Sequence, residues 1–419
     1  MKKYMMLVTA AAVVLVACSR IDTIDRTVAP KGPQRIGFSS YTPKPLSRAG
    51  DSFVSENALV KDKQFAVYAW QTDYGSYLPV NPGSPAFMNP AVVTWKEDGT
   101  SGSGNLYTPT RYWPSGDNPA NLSFAAYYPY GGAGITAPSF LDGDENPSGV
   151  GTYAFTVQST PADMVDFCVS DVVNDQTYGH TNKAGQAGTV NFSFHHQLTK
   201  VQFKFMKSSG LDAATVIELV DAELSRIKNS GTLTASFAQH KEDADENPAT
   251  PDVVVTGVNK LGITTTAWSG VTGTASYEIT VNKHDPESNS VIVLTDSASA
   301  VAPEDIFLMV PQDMDANTQA ITVTWKVKTY NSAENATANN GTGLVAETTN
   351  TKTLYFYSDL VMDTYDDDGN PDTPPVAYSK DWKKNNAITY TITIGPKPIY
   401  FTGTATSWSA EQNGSLSAE

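Results

Sequence analysis

The feature that most limits what this chain can become is a two-residue alternation of apolar and polar side chains. It recurs in short runs: Phe65-Ala66-Val67-Tyr68-Ala69-Trp70, Val190-Asn191-Phe192-Ser193-Phe194, Val201-Gln202-Phe203-Lys204-Phe205 and Ile321-Thr322-Val323-Thr324-Trp325-Lys326-Val327. It returns at Ile388-Thr389-Tyr390-Thr391-Ile392-Thr393-Ile394 and Ile399-Tyr400-Phe401-Thr402. Successive side chains of a strand point to opposite faces, so such runs specify strands with one buried face. Gly, Pro, Asn and Asp separate them, and 30 Gly with 25 Pro supply the turns. One window, Ala213 to Ile227, fits helix and strand equally, because it holds Thr215-Val216-Ile217 and Leu219-Val220. The expectation is an all-β fold of antiparallel sandwiches with polar outer faces. No fixed-period repeat of the solenoid or propeller kind is present.

The first residues have the layout of an export signal: Lys2 and Lys3, then an apolar run from Tyr4 to Ala17. The run is too short for a membrane span, which needs about 20 apolar residues. Leu15-Val16-Ala17-Cys18 resembles the lipobox of bacterial lipoproteins, in which the cysteine is acylated before the leader is removed. That resemblance implies a leader over 1–17, lipidation at Cys18 and attachment to the outer membrane, with the chain displayed at the surface. About two acyl chains suffice for stable attachment. Ser19 to Pro33 is polar and aperiodic, as a tether is. Once Cys18 is acylated, Cys168 is the only thiol left, and one thiol closes no intramolecular disulfide. The net charge of −16 becomes −18 when Lys2 and Lys3 leave with the leader. Such a surface repels phosphate backbones, which excludes nucleic acid as a partner.

Length suits two or three domains, with a boundary between residues 185 and 210 and the polar stretch Asn174 to Gly188 as linker. Longer insertions are expected at Lys241 to Pro251, Asn331 to Gly343 and Asp363 to Pro375. Nothing points to catalysis. The chain has no Gly-x-Ser-x-Gly elbow, His-Glu-x-x-His pair or phosphate loop. Of five histidines only His195 and His196 are adjacent, and neighbours on a strand face opposite ways, so no metal site is expected there. Asp366, Asp368 and Asp372 surround Gly369 much as in a calcium loop, but an EF-hand register would begin at Thr364 and end at Pro375. The segment reads as a solvated turn. Trp70, Trp95, Trp113, Trp268, Trp325 and Trp382 lie in or beside alternating runs and read as core rather than as a sugar platform. No cofactor is expected.

Four segments together resemble the fimbrillins, the subunits of lipoprotein-derived type V pili. They are Arg35-Ile36-Gly37-Phe38 with Ser47-Arg48-Ala49; Tyr107 through Arg111-Tyr112-Trp113-Pro114 into Leu122 to Pro129; and Phe194-His195-His196-Gln197-Leu198-Thr199-Lys200-Val201 with Val310-Pro311-Gln312. The fourth runs from Trp382 through Ile388 to Ile392 and Ile399-Tyr400-Phe401 to Ser407-Trp408. The resemblance implies two tandem transthyretin-like β-sandwich domains, here 49–188 and 189–419, after a lipidated tether and first strand over 18–48. It also implies a fibre role in adhesion, with neighbouring fimbrial subunits as partners and a host or bacterial surface ligand as a further one. In such pilins an arginine-specific protease removes lipid and first strand together, and a strand from the next subunit fills the vacated groove.

Carried onto this chain, the matching cut is Arg48-Ala49 and the strand removed is Ile36 to Ser40, with Ile36 and Phe38 on one face. Arg20 and Arg26 lie too early, a cut at Arg35 keeps the strand, and Lys44 precedes Pro45. The donor implied is 399–408, with Ile399 and Phe401 alternating; a last strand paired within its own domain is the other reading of that segment. Two alternatives stay open: a non-polymerising surface lipoprotein, or an anchor or tip adhesin, that keeps its first strand; and a carbohydrate-binding lipoprotein.

Overall fold

The alternating runs become strands at the places the period marks. The computed structural model describes residues 32–41, 64–72, 87–94, 106–116, 119–140, 149–179, 181, 187–238, 263–279, 291–300, 306–359, 361–362, 380–395 and 399–407. The first strands are β1 (Gly37–Tyr41), β2 (Gln64–Thr72), β3 (Met88–Thr94), β4 (Leu106–Tyr107), β5 (Asn121–Tyr128), β6 (Ser139–Phe140) and β7 (Gly149–Thr156). There follow β8 (Cys168–Ser170), β9 (Val173–Gln176), β10 (Thr189–His196), β11 (Thr199–Lys207), β12 (Thr215–Ile227), β13 (Ser230–Ala238), β14 (Ile263–Thr272) and β15 (Ala275–Ile279). The remainder are β16 (Ile292–Val293), β17 (Ser299–Ala300), β18 (Phe307–Met309), β19 (Ala320–Tyr330), helix α1 (Ala333–Ala338), β20 (Leu344–Tyr355), β21 (Val361–Met362), β22 (Asn386–Ile394) and β23 (Ile399–Ser407). The ambiguous window resolves as β12, a 13-residue strand whose buried Ile217, Leu219, Ala222 and Leu224 pack on the sheet opposite.

Four sheets result. The first runs β1-β10-β8-β5-β2-β3-β4, with β9 also on β5, and the second is β14-β13-β7-β6. The third is β17-β11-β22-β23-β21 with β18 on β11, and the fourth is β15-β12-β19-β20 with β16 on β12. Most pairings are antiparallel, as expected, but β1 on β10, β11 on β22 and β21 on β23 are parallel. The all-β reading holds.

Polar outer faces hold for β19 and β22 but not for β2 and β5. On β2, Phe65, Val67 and Ala69 enter one core while Ala66, Tyr68 and Trp70 enter another. The reason is that the second sheet lies across the first. Tyr68 and Trp70 meet Phe140 at ring distances of 4.8 and 5.4 Å, and Tyr127 meets Tyr153 at 5.4 Å. A strand covered on both faces needs no polar residue on either.

The sheets also bear on where the chain divides. Strand β10 lies in the first sheet, paired with β1 and β8. The changeover comes at Gln197-Leu198, between β10 and β11. This junction is tied down: Gln197 N–H donates to the Phe167 carbonyl (2.9 Å), Trp268 Nε1 donates to the Gln197 carbonyl (2.8 Å), and Asn385 N–H donates to the Leu198 carbonyl (3.0 Å). Likewise β7 of the first half pairs with β13 of the second. One core cluster accordingly runs from Tyr68 and Tyr153 through Phe203 and Phe307 to Tyr390.

Candidate functional site: the seam closed by the first strand

Strand β1 and the residue before it carry the alternation Ile36-Gly37-Phe38-Ser39, which sends Ile36 and Phe38 to one side. That side is the inside of the first sheet, which curls until its two edges meet. Ile36 is fully buried and Phe38 is 4% exposed. The Phe38 ring lies 5.2 Å from Tyr107, 5.8 Å from Phe192 and 6.0 Å from Phe124, so it contacts β4, β10 and β5. Burying two such side chains contributes roughly 3–6 kcal/mol.

On one edge β1 pairs in parallel with β10 over five residues, from Gly37 opposite Thr189 to Tyr41 opposite Ser193. On its outer face Ser39 Oγ donates to Asn191 Oδ1 at 2.7 Å. The segment leading into β1 meets the chain that follows β4. Ile36 N–H donates to the Arg111 carbonyl (3.0 Å), Trp113 N–H donates to the Gln34 carbonyl (2.8 Å), and Arg35 bridges Tyr112. The Tyr107 hydroxyl accepts from Arg111 N–H (3.2 Å) and has the carbonyls of Ile36 and Arg111 at 3.0 and 3.1 Å. Burial raises the pKa of Tyr107, and the hydrogen bond to Arg111 and the Arg35 guanidinium over its ring only partly oppose this, so it stays a neutral donor. Gly188, expected to end a linker, belongs to the seam. Its carbonyl accepts from Gly37 N–H (2.8 Å) and Trp113 Nε1 (3.0 Å), and at φ +76° a Cβ would lie 2.9 Å from the Tyr178 ring.

Of the residues singled out in the sequence, Ile36 and Phe38 come together with Tyr107 and Trp113 in this interior. The observed strand is Gly37–Tyr41, one residue later than the range expected. Cys18, Arg48 and Ala49 lie outside the described residues, as does the acidic segment Asp363 to Asp372. Ile399 and Phe401 lie on β23, opposite Ile394 and Ile392 of β22. Trp70, Trp113, Trp325 and Trp382 are core residues, Trp268 is partly buried against the same core, and Trp95 lies outside the described residues. Sequence reasoning missed Tyr107 and Gly188 as seam residues, because neither sits in a periodic run.

His195 and His196 do face opposite ways. His195 Nε2 meets Asp171 at 2.8 Å, whereas His196 Nδ1 meets Asp166 at 2.9 Å, with Cys168 Sγ at 3.5 Å. The triplet Asp166, Cys168 and His196 was not anticipated, and its ligating atoms lie within 4.8 Å of one another. Burial first, then the neighbouring Asp166, pushes the Cys168 thiol well above its ordinary range. A metal ligand must be thiolate, and a carboxylate already engages the imidazole nitrogen facing it, so the group is a closed hydrogen-bonded contact between β8 and β10.

The fold is thus a curled first sheet closed by β1, with the second sheet laid across its other face and two more sheets built from β11 onward. A fimbrial protein from Bacteroides vulgatus shares it, with 18% identity over 90% of this chain and 99% of that one, at a TM-score of 0.54. Looser superpositions are found with a suspected cell adhesion protein from Bacteroides uniformis (14% identity, 89% of this chain and 98% of that one, TM-score 0.42) and with the tip fimbrial protein Mfa3 from Porphyromonas gingivalis (10%, 83% and 95%, TM-score 0.31). No curated protein matches the sequence. The chain belongs to the fimbrillin-like family, whose model matches residues 53–408. That is a family of fimbrial and adhesion proteins of the cell surface, structural rather than enzymatic.

Proposed function

We propose that this protein is a structural subunit of a surface fimbria, exported as a lipoprotein acylated at Cys18 and assembled by exchange of its first strand. Cleavage after Arg48 releases 18–48, which carries both the lipid and β1. Ile36 and Phe38 leave the interior with it, and the edge of β10 loses its five paired residues. An open edge beside apolar pockets binds an added strand. The roughly 3–6 kcal/mol of lost side-chain burial is comparable with the whole net stability of a domain, so refilling is strongly favoured.

The observation that carries this reading is the placement of Ile36 and Phe38 inside a seam held by so short a strand. The donor is the segment 399–408 of a neighbouring copy. Its Ile399-Tyr400-Phe401-Thr402 repeats the order of Ile36-Gly37-Phe38-Ser39: aliphatic, spacer, aromatic, hydroxyl. Ile399 and Phe401 fill the places of Ile36 and Phe38, and Thr402 takes the bond of Ser39 to Asn191. A Cβ at Gly37 would meet Thr189 Oγ1 at 3.0 Å and the Gly188 carbonyl at an ordinary 3.6 Å, so a side chain entering there at Tyr400 makes this hydroxyl turn aside.

The test is treatment of the purified precursor with an arginine-specific protease, followed by size-exclusion chromatography and electron microscopy. Oligomers that form only after the cut at Arg48 support the reading. A chain that stays monomeric once Arg48 is cut overturns it, in favour of a surface lipoprotein or tip adhesin that keeps β1.

A further inference from the structure

In a different sheet from the seam, a buried carboxylate joins two strands and a loop. Glu218 on β12 has a side chain only 1% exposed, and its Oε1 accepts from Lys328 Nζ on β19 at 2.6 Å. Lys326 lies directly opposite Glu218, so Lys328 reaches it diagonally on the same face. The same Oε1 also accepts from Asn339 Nδ2 at 2.7 Å, and the Tyr330 hydroxyl donates to Asn339 Oδ1 at 2.7 Å. Asn339 is fixed as the left-handed cap of α1 (φ 43°), its N–H donating to the Asn335 carbonyl. Val216, Tyr330 and Ala336 enclose the group. Glu218 Oε2 is buried and has no hydrogen-bond partner.

An ion pair accounts for the contact between Lys328 and Glu218. It does not account for a carboxamide drawn onto the same oxygen, with its carbonyl polarised by a tyrosine, nor for the idle second oxygen. An amine, an amide carbon, a proton carrier and a donor to the amide oxygen are what acyl transfer requires. We propose that Lys328 and Asn339 become joined by an isopeptide bond, formed by the folded chain itself.

Glu218 takes one proton from the Lys328 ammonium, and the freed lone pair of Nζ adds to Asn339 Cγ. The Tyr330 hydroxyl stabilises the oxyanion growing on Oδ1. Glu218 passes its proton to Nδ2 and receives the second proton of Nζ. The bond from Cγ to Nδ2 breaks, the carbonyl re-forms, and ammonia leaves. Lysine ammonium, carboxylate and carboxamide have become a secondary amide, a neutral carboxylic acid and ammonia. The step needs no oxidant, metal or outside reagent, and no unpaired charge stays buried. Burial works against the Lys328 ammonium, but the hydrogen bond and charge of Glu218 outweigh it and its pKa is raised. The ion pair is therefore the resting state, and the bond forms from its neutral tautomer slowly, after folding. The product closes covalently the loop that leads from β19 into β20, an edge strand of its sheet among the described residues.

Intact-mass spectrometry of the full chain, aged after purification, decides the matter together with a tryptic map. The expected result is a mass lighter by one ammonia. Trypsin then fails to cut at Lys328, giving a fragment from Val327 to Lys352 with an internal ring and no backbone fragmentation between residues 328 and 339. The variants E218Q and N339A, each checked for native circular dichroism, keep the full mass and are cut at Lys328. A full wild-type mass overturns the proposal. So does a loss of ammonia with Lys328 still cut, because imide formation at Asn340-Gly341 loses the same mass without touching the lysine.

Discussion

Strands β1 and β23 both come from the ends of the chain, and they are held in opposite ways. β23 lies in a ladder: nine of its residues pair antiparallel with β22, and β21 pairs with its other edge. β1 has five paired residues, all parallel and all on β10, and parallel pairing is the slightly weaker kind. Its hold lies instead in Ile36 and Phe38 and in the seam around Tyr107 and Gly188. A strand held by a ladder comes away by unzipping along its length. A strand held by two side chains and a seam comes away as one piece, and leaves behind pockets of defined shape. The second kind suits removal by a single cut, while a donor at β23 must exchange one ladder for another.

The largest effect expected from this contrast is on assembly. Arg48→Ala should abolish protease-triggered oligomers entirely while leaving the precursor folded, as measured by size-exclusion chromatography beside circular dichroism. Assembly of that variant at the wild-type rate would detach β1 from the process.

Next comes Phe38→Ala, which should lower unfolding stability by roughly 3–5 kcal/mol, read from the denaturant midpoint. Its ring is 4% exposed and meets rings from three other strands, so the site cannot collapse around the void. A change under about 1 kcal/mol would mean that the ladder to β10, and not the interior, holds β1.

Alkaline titration treats the two halves of the chain alike and so sharpens the contrast. Tyr127, in the first sheet, has its pKa pushed up to about 12 by burial and then by the charge of Tyr130. Tyr277, in the fourth, is pushed up to about 12 by burial, and its hydroxyl is buried without a partner. Both folded values exceed the unfolded value near 10, so the folded state holds these protons longer. The stability tied to them is fully present below about pH 10 and is lost as pH climbs from about 10 to about 12, by ~2–3 kcal/mol for each residue. Phenolate absorbance against pH should show both groups titrating late, and the denaturant midpoint should fall across the same window. A midpoint unchanged up to pH 12 would mean that neither hydroxyl is sealed in.

How much of this was legible in the sequence follows from what period 2 encodes. Alternation marks which residues share a face, so β2, β10, β11, β19, β22 and β23 were readable, and so was the common face of Ile36 and Phe38. It does not say what covers the other face. Trp70 reads as core, but Ala66 and Tyr68, on the same face of β2, are given no cover until a second sheet, led by Phe140, is laid over them. The seam escaped for a different reason. Tyr107 and Gly188 contact β1 across long stretches of chain and belong to a two-residue strand and a turn, where no periodicity can form. Polar composition marks a loop, which is why the sequence could place a boundary only within residues 185 to 210. The chain changes sheets at Gln197-Leu198, inside that range and within the resemblance segment from Phe194 to Val201. Asp166, Cys168 and His196 were equally invisible, since they meet only because β8 lies beside β10.

The smallest effect expected belongs to the outer face of β1. Ser39 Oγ donates to Asn191 Oδ1 at 2.7 Å, directly across the pairing of β1 with β10, and both residues are only partly buried. Water can therefore replace the lost donor, so Ser39→Ala should cost about 0.5–1 kcal/mol and not the larger penalty of an orphaned interior group. Against the several kcal/mol expected for Phe38→Ala, this ratio measures how far β1 relies on its inner face. The same substitution separates folding from exchange, because Ser39 leaves with β1 when 18–48 is released and Thr402 of an incoming strand takes its place beside Asn191. Ser39→Ala should therefore weaken the precursor slightly and leave the stability of assembled fibres unchanged, as read by resistance to heated detergent. An equal loss in both would show that Ser39 is still in place beside Asn191 in the fibre, and so that β1 has not been exchanged for the arriving strand.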